Sequence, residues 1–200
     1  MHRQEVLPVL YDLSVTIGSE VRLKALLTRT LQRLLYHTSF SAGFVCLDLP
    51  PCEGPAAARP VVIAAAVGDF DLIGRIDETV MVPCDLVYGC AEHEVQQGTL
   101  LQQLGLSGSA YQSFLRLPLE NNGVIVLLAI EPPETDLNLA QVLQPVLAQL
   151  AKAIVLCRIY DAQQTLAKVK QDALQKSLHQ TEEQFQTLMS LSPMGVCLSC

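Results

Sequence analysis

The chain has 200 residues, half of them hydrophobic and only 5 % aromatic, with a formal net charge of −7. That length allows one ordinary domain plus an appendage, and the acidic balance, with no basic patch among aromatics, argues against nucleic acid or an anionic membrane as partner. The first eight residues lack the apolar run of a signal peptide, and the longest apolar run, 124–130, is far too short to span a bilayer. A cytoplasmic location is therefore expected, and the seven cysteines, an odd set without disulfide-framework spacing, read as reduced thiols.

In chain order, Val6, Val9, Leu10, Leu13 and Ile17 recur at helical spacing, and Gly18 with Ser19 stops that helix and offers a cap for the next. Across 20–37, Leu23, Leu26, Leu27, Leu31, Leu34 and Leu35 share one face while Arg22, Lys24, Arg29 and Arg33 fall largely elsewhere, which predicts an amphipathic second helix. The stretch 41–49 (SAGFVCLDL) changes period and suits a strand. Its neighbour 50–60 reads as a loop because its prolines and glycine cannot sustain a ladder, and 61–67 reads as a second strand, antiparallel to the first. Residues 78–82 read as a short strand or extended segment and 98–106 as an edge strand. Between them, 85–97 reads as a helix behind Pro83, weakened at Gly89 by about 1 kcal/mol relative to alanine.

Residues 111–120 and 123–131 flank Asn121, Asn122 and Gly123, which is hairpin chemistry because asparagine and glycine tolerate positive φ. The second strand of that pair is apolar throughout 124–130 and should be central, covered on both faces. Pro132 and Pro133 end it, and Thr135 or Asp136 can cap the last helix. The resulting order of helix, helix, two strands, a variable middle, two strands and helix predicts an α+β fold: an antiparallel sheet with helices packed on one face.

The last helix spans about 136–189 and contains Pro145, which predicts a kink or a regular part that begins near Gln144. Its first half is rich in aliphatics and suits packing on the domain. Between Asp161 and Gln186 there are seven glutamines and mostly isolated apolar residues, a composition that suits a solvated coiled-coil connector. Ala167, Gln171, Leu174, Leu178, Thr181, Phe185 and Leu188 form a heptad seam, spaced alternately four and three. A competing seam runs through Ile159, Ala162, Leu166, Val169 and Ala173.

Specific words in this order resemble a GAF domain, the small-molecule sensor module of bacterial signalling proteins. They are LKALLTRTLQRLL before the first strand, FLRLPLENNGVIVLLAI as the hairpin, and LAQVLQPVLAQLAKAIVLC as the closing helix. The stretch EQFQTLMSLSPMGV resembles the opening of a PAS domain, with Phe185, Leu188, Pro193, Gly195 and Val196 at the matching places. These resemblances imply a GAF-like sensor domain over 1–157, a signalling-helix connector over 158–181 and the start of a PAS domain over 182–200. The chain then reads as the front of a longer protein. Its output domain would be a histidine kinase, as in two-component signalling, or a diguanylate cyclase, as in cyclic di-GMP signalling. The module would be a homodimer through its N- and C-terminal helices and would not itself be an enzyme.

Cys84, Cys90 and His93 share a short window, yet a zinc site usually shows two closely spaced pairs, so no metal site is assigned and ordinary packing is the better reading. There is no Cys-His pair of the kind that holds a bilin in some GAF domains, and no Asn-Lys-x-Asp-Glu set of the cyclic-nucleotide binders. Cys84 and Cys90 also lack the glycine-rich flanks of the enzymes that reduce free methionine sulfoxide, which leaves that activity a remote alternative. The cofactor is left unassigned. Since GAF ligands generally lie between the sheet and the variable middle segment, the resemblance implies Phe44, Cys46, Val82, Leu86, Tyr88, His93 and Arg116 as candidates for an unknown small molecule. Tyr88 would stack on a ring and Arg116 would pair with an anion. The rival reading is a GAF domain that binds nothing and serves dimerisation and spacing.

Overall fold

A computed structural model describes residues 6–49, 58–83, 93–94, 111–120, 122–131 and 138–191 of the chain. Two helices come first, α1 (Val6–Ser19) and α2 (Leu23–His37), followed by β1 (Ala42–Asp48) and β2 (Ala58–Val67). A short helix α3 (Phe70–Gly74) precedes β3 (Thr79–Pro83) and the two-residue β4 (His93–Glu94). The hairpin β5 (Ser113–Leu119) and β6 (Gly123–Ala129) leads to the long helix α4 (Leu139–Leu191). Every strand pairing is antiparallel, and the six strands stand in the order β3-β2-β1-β6-β5-β4.

Side-chain alternation divides this sheet into two buried faces. Val45 and Leu47 of β1, Ile125 and Leu127 of β6, and Leu115 and Leu117 of β5 join one core with α1, α2 and the first part of α4. Leu26, Leu31, Leu150 and Ile154 in that core are fully buried, each favouring the fold by about 1.5–3 kcal/mol relative to exposure. Phe44, Cys46, Val124, Val126 and Phe114 belong to a second core on the opposite face. Every residue of β6 is accordingly buried, which is why its sequence shows no alternation.

The β5–β6 turn is the tightest junction in the sheet. Asn122 donates from its side chain to the carbonyls of Glu120 (2.9 Å) and Ala151 (3.3 Å), tying the hairpin to α4. Gly123 comes next at φ +137°, and a Cβ there would lie 2.0 Å from the Cys46 carbonyl oxygen. Only glycine lets β6 start this close to β1.

Four local readings change. β2 starts at Ala58, so Pro60, expected in a loop, is a strand residue paired with Met81. It is tolerated near the strand's start because it still supplies an acceptor there, taking the Leu49 amide at 3.4 Å. His93 and Glu94, expected on a helix, pair with Leu115 and Phe114 as an edge strand, while the rest of 85–97 and all of 98–106 lie outside the described residues. The short α3 was not expected from the sequence at all, although Asp69 marks its start by accepting hydrogen bonds from the amides of Asp71 and Leu72.

The fourth change concerns α4, which begins at Leu139, with the Asn138 side chain accepting from the Gln141 amide at 3.3 Å. Thr135 and Asp136, the expected caps, lie outside the described residues. The helix continues through Pro145, whose missing hydrogen bond would have gone to Gln141; both residues are exposed, so water can take up the freed carbonyl. Part of α4 is long and apolar enough to cross a membrane by length and composition, with 39 % of that window buried. Leu139, Leu143, Val146, Leu147, Leu150, Ile154 and Cys157 of α4 belong to the sheet core, which accounts for much of that hydropathy, while Val155 and Leu156 are exposed.

Contacts divide the chain into two compact units, Met1–Arg158 and Ile159–Cys200. In the second unit every described residue whose burial is assigned is exposed, including Leu174, Leu178, Phe185 and Leu188 at 62–73 %.

Candidate functional site

The second face of the sheet gathers residues that are far apart in sequence. Phe44 pairs with Val126 on one side and with Ala66 on the other, and Val126 pairs in turn with Arg116. Ala66, Phe44, Val126 and Arg116 therefore form one row across four strands. Cys46 begins the next row, paired with Val124 and Ile63. The register between β1 and β2 skips Ala64 here, a bulge between Val45 and Cys46 that keeps Phe44 and Cys46 on the same face as Ala66 and Ile63. Val82, at the far edge, belongs to the same core cluster.

Phe44, Cys46 and Val82 are fully buried, and Arg116 is half-buried in the row of Phe44. Four of the seven residues singled out in the sequence thus share this face. His93 stands in the row of Leu115, whose side chain faces the helices, rather than in that of Phe114. Leu86 and Tyr88 lie outside the described residues, as do Cys84 and Cys90.

One end of the face is covered by α3, whose Leu72 is buried in the second core, and by Tyr111 packed against the same cluster. The Tyr111 hydroxyl donates to Asp69 Oδ2 at 2.7 Å, joining the start of α3 to the segment that enters β5. Partial burial opposes ionisation of Asp69, but the Leu72 amide, the Tyr111 hydroxyl and the Asp71 amide outweigh it and hold the carboxyl below its ordinary range. Burial and the Asp69 carboxylate push the Tyr111 phenol well above its own. Tyr111 therefore stays a hydrogen-bond donor at all ordinary pH. The Asp69–Tyr111 contact was missed in the sequence because the two residues are 42 positions apart.

Charged groups border the face. Arg75 pairs with Glu78 through Nε at 2.7 Å, and that hydrogen bond holds the Glu78 carboxyl below its usual range. Burial, reinforced by Asp48 and only partly offset by Arg75, pushes the Cys46 thiol up to about 12. A thiol so protected is protonated at neutral pH and a poor nucleophile or attachment point. Cys157, the other buried cysteine among the described residues, belongs to the helix-side core, so these two do not share a site. No cluster of three His, Cys, Asp or Glu suited to a metal occurs among the described residues.

A sheet in this order, with three helices on one face and a buried second face, occurs in known proteins. The GAF domain of a phosphoenolpyruvate-protein phosphotransferase from Coxiella burnetii matches with a TM-score of 0.58 at 15 % identity, over 81 % of this chain and 99 % of that one. The fold is the GAF fold. A further GAF domain, from a protein described as a sensor histidine kinase of Pseudomonas syringae pv. tomato, matches with a TM-score of 0.55 at 18 % identity, over 82 % of this chain and 94 % of that one. The free methionine-R-sulfoxide reductase of Neisseria meningitidis, in complex with its substrate, matches with a TM-score of 0.57 at 15 % identity, over 78 % and 91 %. No protein-family model and no curated protein matches the sequence. The GAF fold carries sensors and at least one enzyme, so chemistry has to be argued from this chain's own residues.

Proposed function

We propose that this GAF domain is a sensory module that binds a small ligand on the second face of its sheet and passes its state along α4. The observation that supports this most is the row of Phe44, Val126 and Arg116 with Cys46 beside it: an apolar floor with the Arg116 guanidinium in its central row, on the face opposite the helices. An apolar floor with few polar groups is the usual make-up of a small-molecule site. Leu86, Tyr88 and His93 are retained as candidate wall residues on the strength of the GAF resemblance. In this reading the module works in the cytoplasm as a homodimer through its terminal helices. α4 leads through the seam Ala167 to Leu188 into a PAS domain and an output domain of histidine-kinase or diguanylate-cyclase type, for which the Pseudomonas GAF domain offers a parallel. The GAF module is read as non-catalytic; Cys46, the described cysteine on this face, is a buried, protonated thiol and offers no nucleophile.

The test is a thermal-shift screen of the full chain against anionic, aromatic metabolites, with Arg116→Met in parallel. A ligand at about one hundred times its Kd stabilises by about 2.7 kcal/mol, several degrees for a domain of this size. A hit that Arg116→Met abolishes, while the variant still unfolds cooperatively, supports the reading. If every compound leaves wild type and variant alike unmoved, the ligand-free spacing module takes its place.

A further inference from the structure

The second unit presents two apolar stripes rather than one. The first runs through Ile159, Leu166 and Val169, which are 50–60 % exposed, with Ala162 and Ala173 between and beyond them. The second runs through Leu174, Leu178, Phe185 and Leu188, 62–73 % exposed, and continues upstream through Ala167 and Gln171. Each stripe by itself has the alternating three-and-four spacing of a coiled-coil seam. Their directions differ. At about 100° per residue, the direction midway between Val169 and Ala173 lies roughly 140° around the helix from that midway between Leu174 and Leu178. A straight parallel pair that faces one stripe to its partner turns the other outward.

From this we infer that the connector offers two mutually exclusive surfaces to a second copy of the chain, competing over residues 167–173, where the two stripes overlap. The inference rests on the dimeric reading above. A second copy is the occupant because the spacing is that of a self-pairing seam and the flanking charges permit it. In the first register Arg158 faces Gln163, Thr165 faces Lys170 and Asp172 faces Ser177 across the pair; in the second, Lys170 faces Gln175 and Ser177 faces Glu182. Neither register sets like charges against each other, so apolar content decides between them. The second buries more large side chains but also Gln171 and Thr181; the first is shorter and has no polar core residue.

The experiment is site-specific photocrosslinking of the full chain, with p-benzoylphenylalanine placed singly at Leu166, Val169, Leu174 and Leu178. Two locking pairs are compared, Gln171→Leu with Thr181→Leu for the second stripe and Ala162→Leu with Ala173→Leu for the first. The ratio of dimer yield from positions 174 and 178 to that from 166 and 169 should differ at least about tenfold between the two pairs. One decade needs only about 1.4 kcal/mol, less than a single buried leucine supplies. Equal yields from both stripes in both locked proteins would overturn exclusivity while leaving the dimer intact. A chain that sediments as a monomer and gives no crosslinks would overturn the dimeric reading as well.

Discussion

Replacing Gly123 by alanine tests the join between the two central strands. Its φ of +137° is a conformation that L-residues occupy at a cost of about 1–3 kcal/mol. The new Cβ would also meet backbone only: the Cys46 oxygen at 2.0 Å, and the Cys46 carbonyl carbon and Leu47 Cα at 2.9 Å. No side chain can swing away, so β1 and β6 must part. That weakens hydrogen bonds such as that from the Asp48 amide to the Asn122 carbonyl (3.0 Å), each worth about 1 kcal/mol net. The sum is about 3–5 kcal/mol, a large share of the 5–15 kcal/mol that typically holds a domain together. Gly18→Ala is the control: a Cβ there meets nothing within 4 Å, and inside a helix alanine is favoured by up to about 1 kcal/mol. Urea unfolding monitored by circular dichroism should move the Gly123→Ala midpoint far down and the Gly18→Ala midpoint slightly up. If Gly123→Ala unfolds within about 0.5 kcal/mol of wild type, below the usual worth of one hydrogen bond, the packing described at this junction is wrong.

Other consequences can be checked separately. Asn122→Ala removes two hydrogen bonds donated by a buried side chain, to the Glu120 and Ala151 carbonyls, and should cost about 1–3 kcal/mol in the same assay. Asp69 has a folded-state pKa below its ordinary 3.8, so its contribution is complete above that value and is lost as pH falls through and below it. Asp69→Asn, which keeps an acceptor for the α3 cap, should therefore flatten the acid limb of stability below about pH 4 and leave its slope near neutrality unchanged; an unaltered acid limb would contradict the assignment. Cys46 at about 12 rather than 9.0 carries about a thousandfold less thiolate at pH 8, so peptide mapping after brief iodoacetamide treatment of native protein should find it unlabelled. Labelling at the rate of an ordinary thiol would show that the face is open to solvent.

Long-range periodicity made much of the fold legible. The leucines of α2, the alternation break at Ser41 and the Asn-Asn-Gly turn each point to one local structure, and the tertiary fold agrees with all of them. Short elements were harder. The five-residue α3 has only the Asp69 cap as a signal, and Pro60 in β2 is allowed by its place near the strand's start, which no local rule contains. His93 with Glu94 forms a strand because β5 offers an edge to pair with, a fact that the window 85–97 cannot hold. The face shared by Phe44, Cys46 and Arg116 emerges from strand parity once the register is known. The hydrogen bond between Asp69 and Tyr111, and that from Asn122 to Ala151, join positions that only the folded chain brings together.

The central claim is that the second face of the sheet holds a small molecule, and native mass spectrometry tests it most directly. The full chain, purified without denaturant and exposed to a bacterial metabolite extract, should carry an added mass that collisional activation releases, and Arg116→Met should lose it. A bare polypeptide mass under the same conditions, or an adduct that Arg116→Met retains unchanged, would contradict the account.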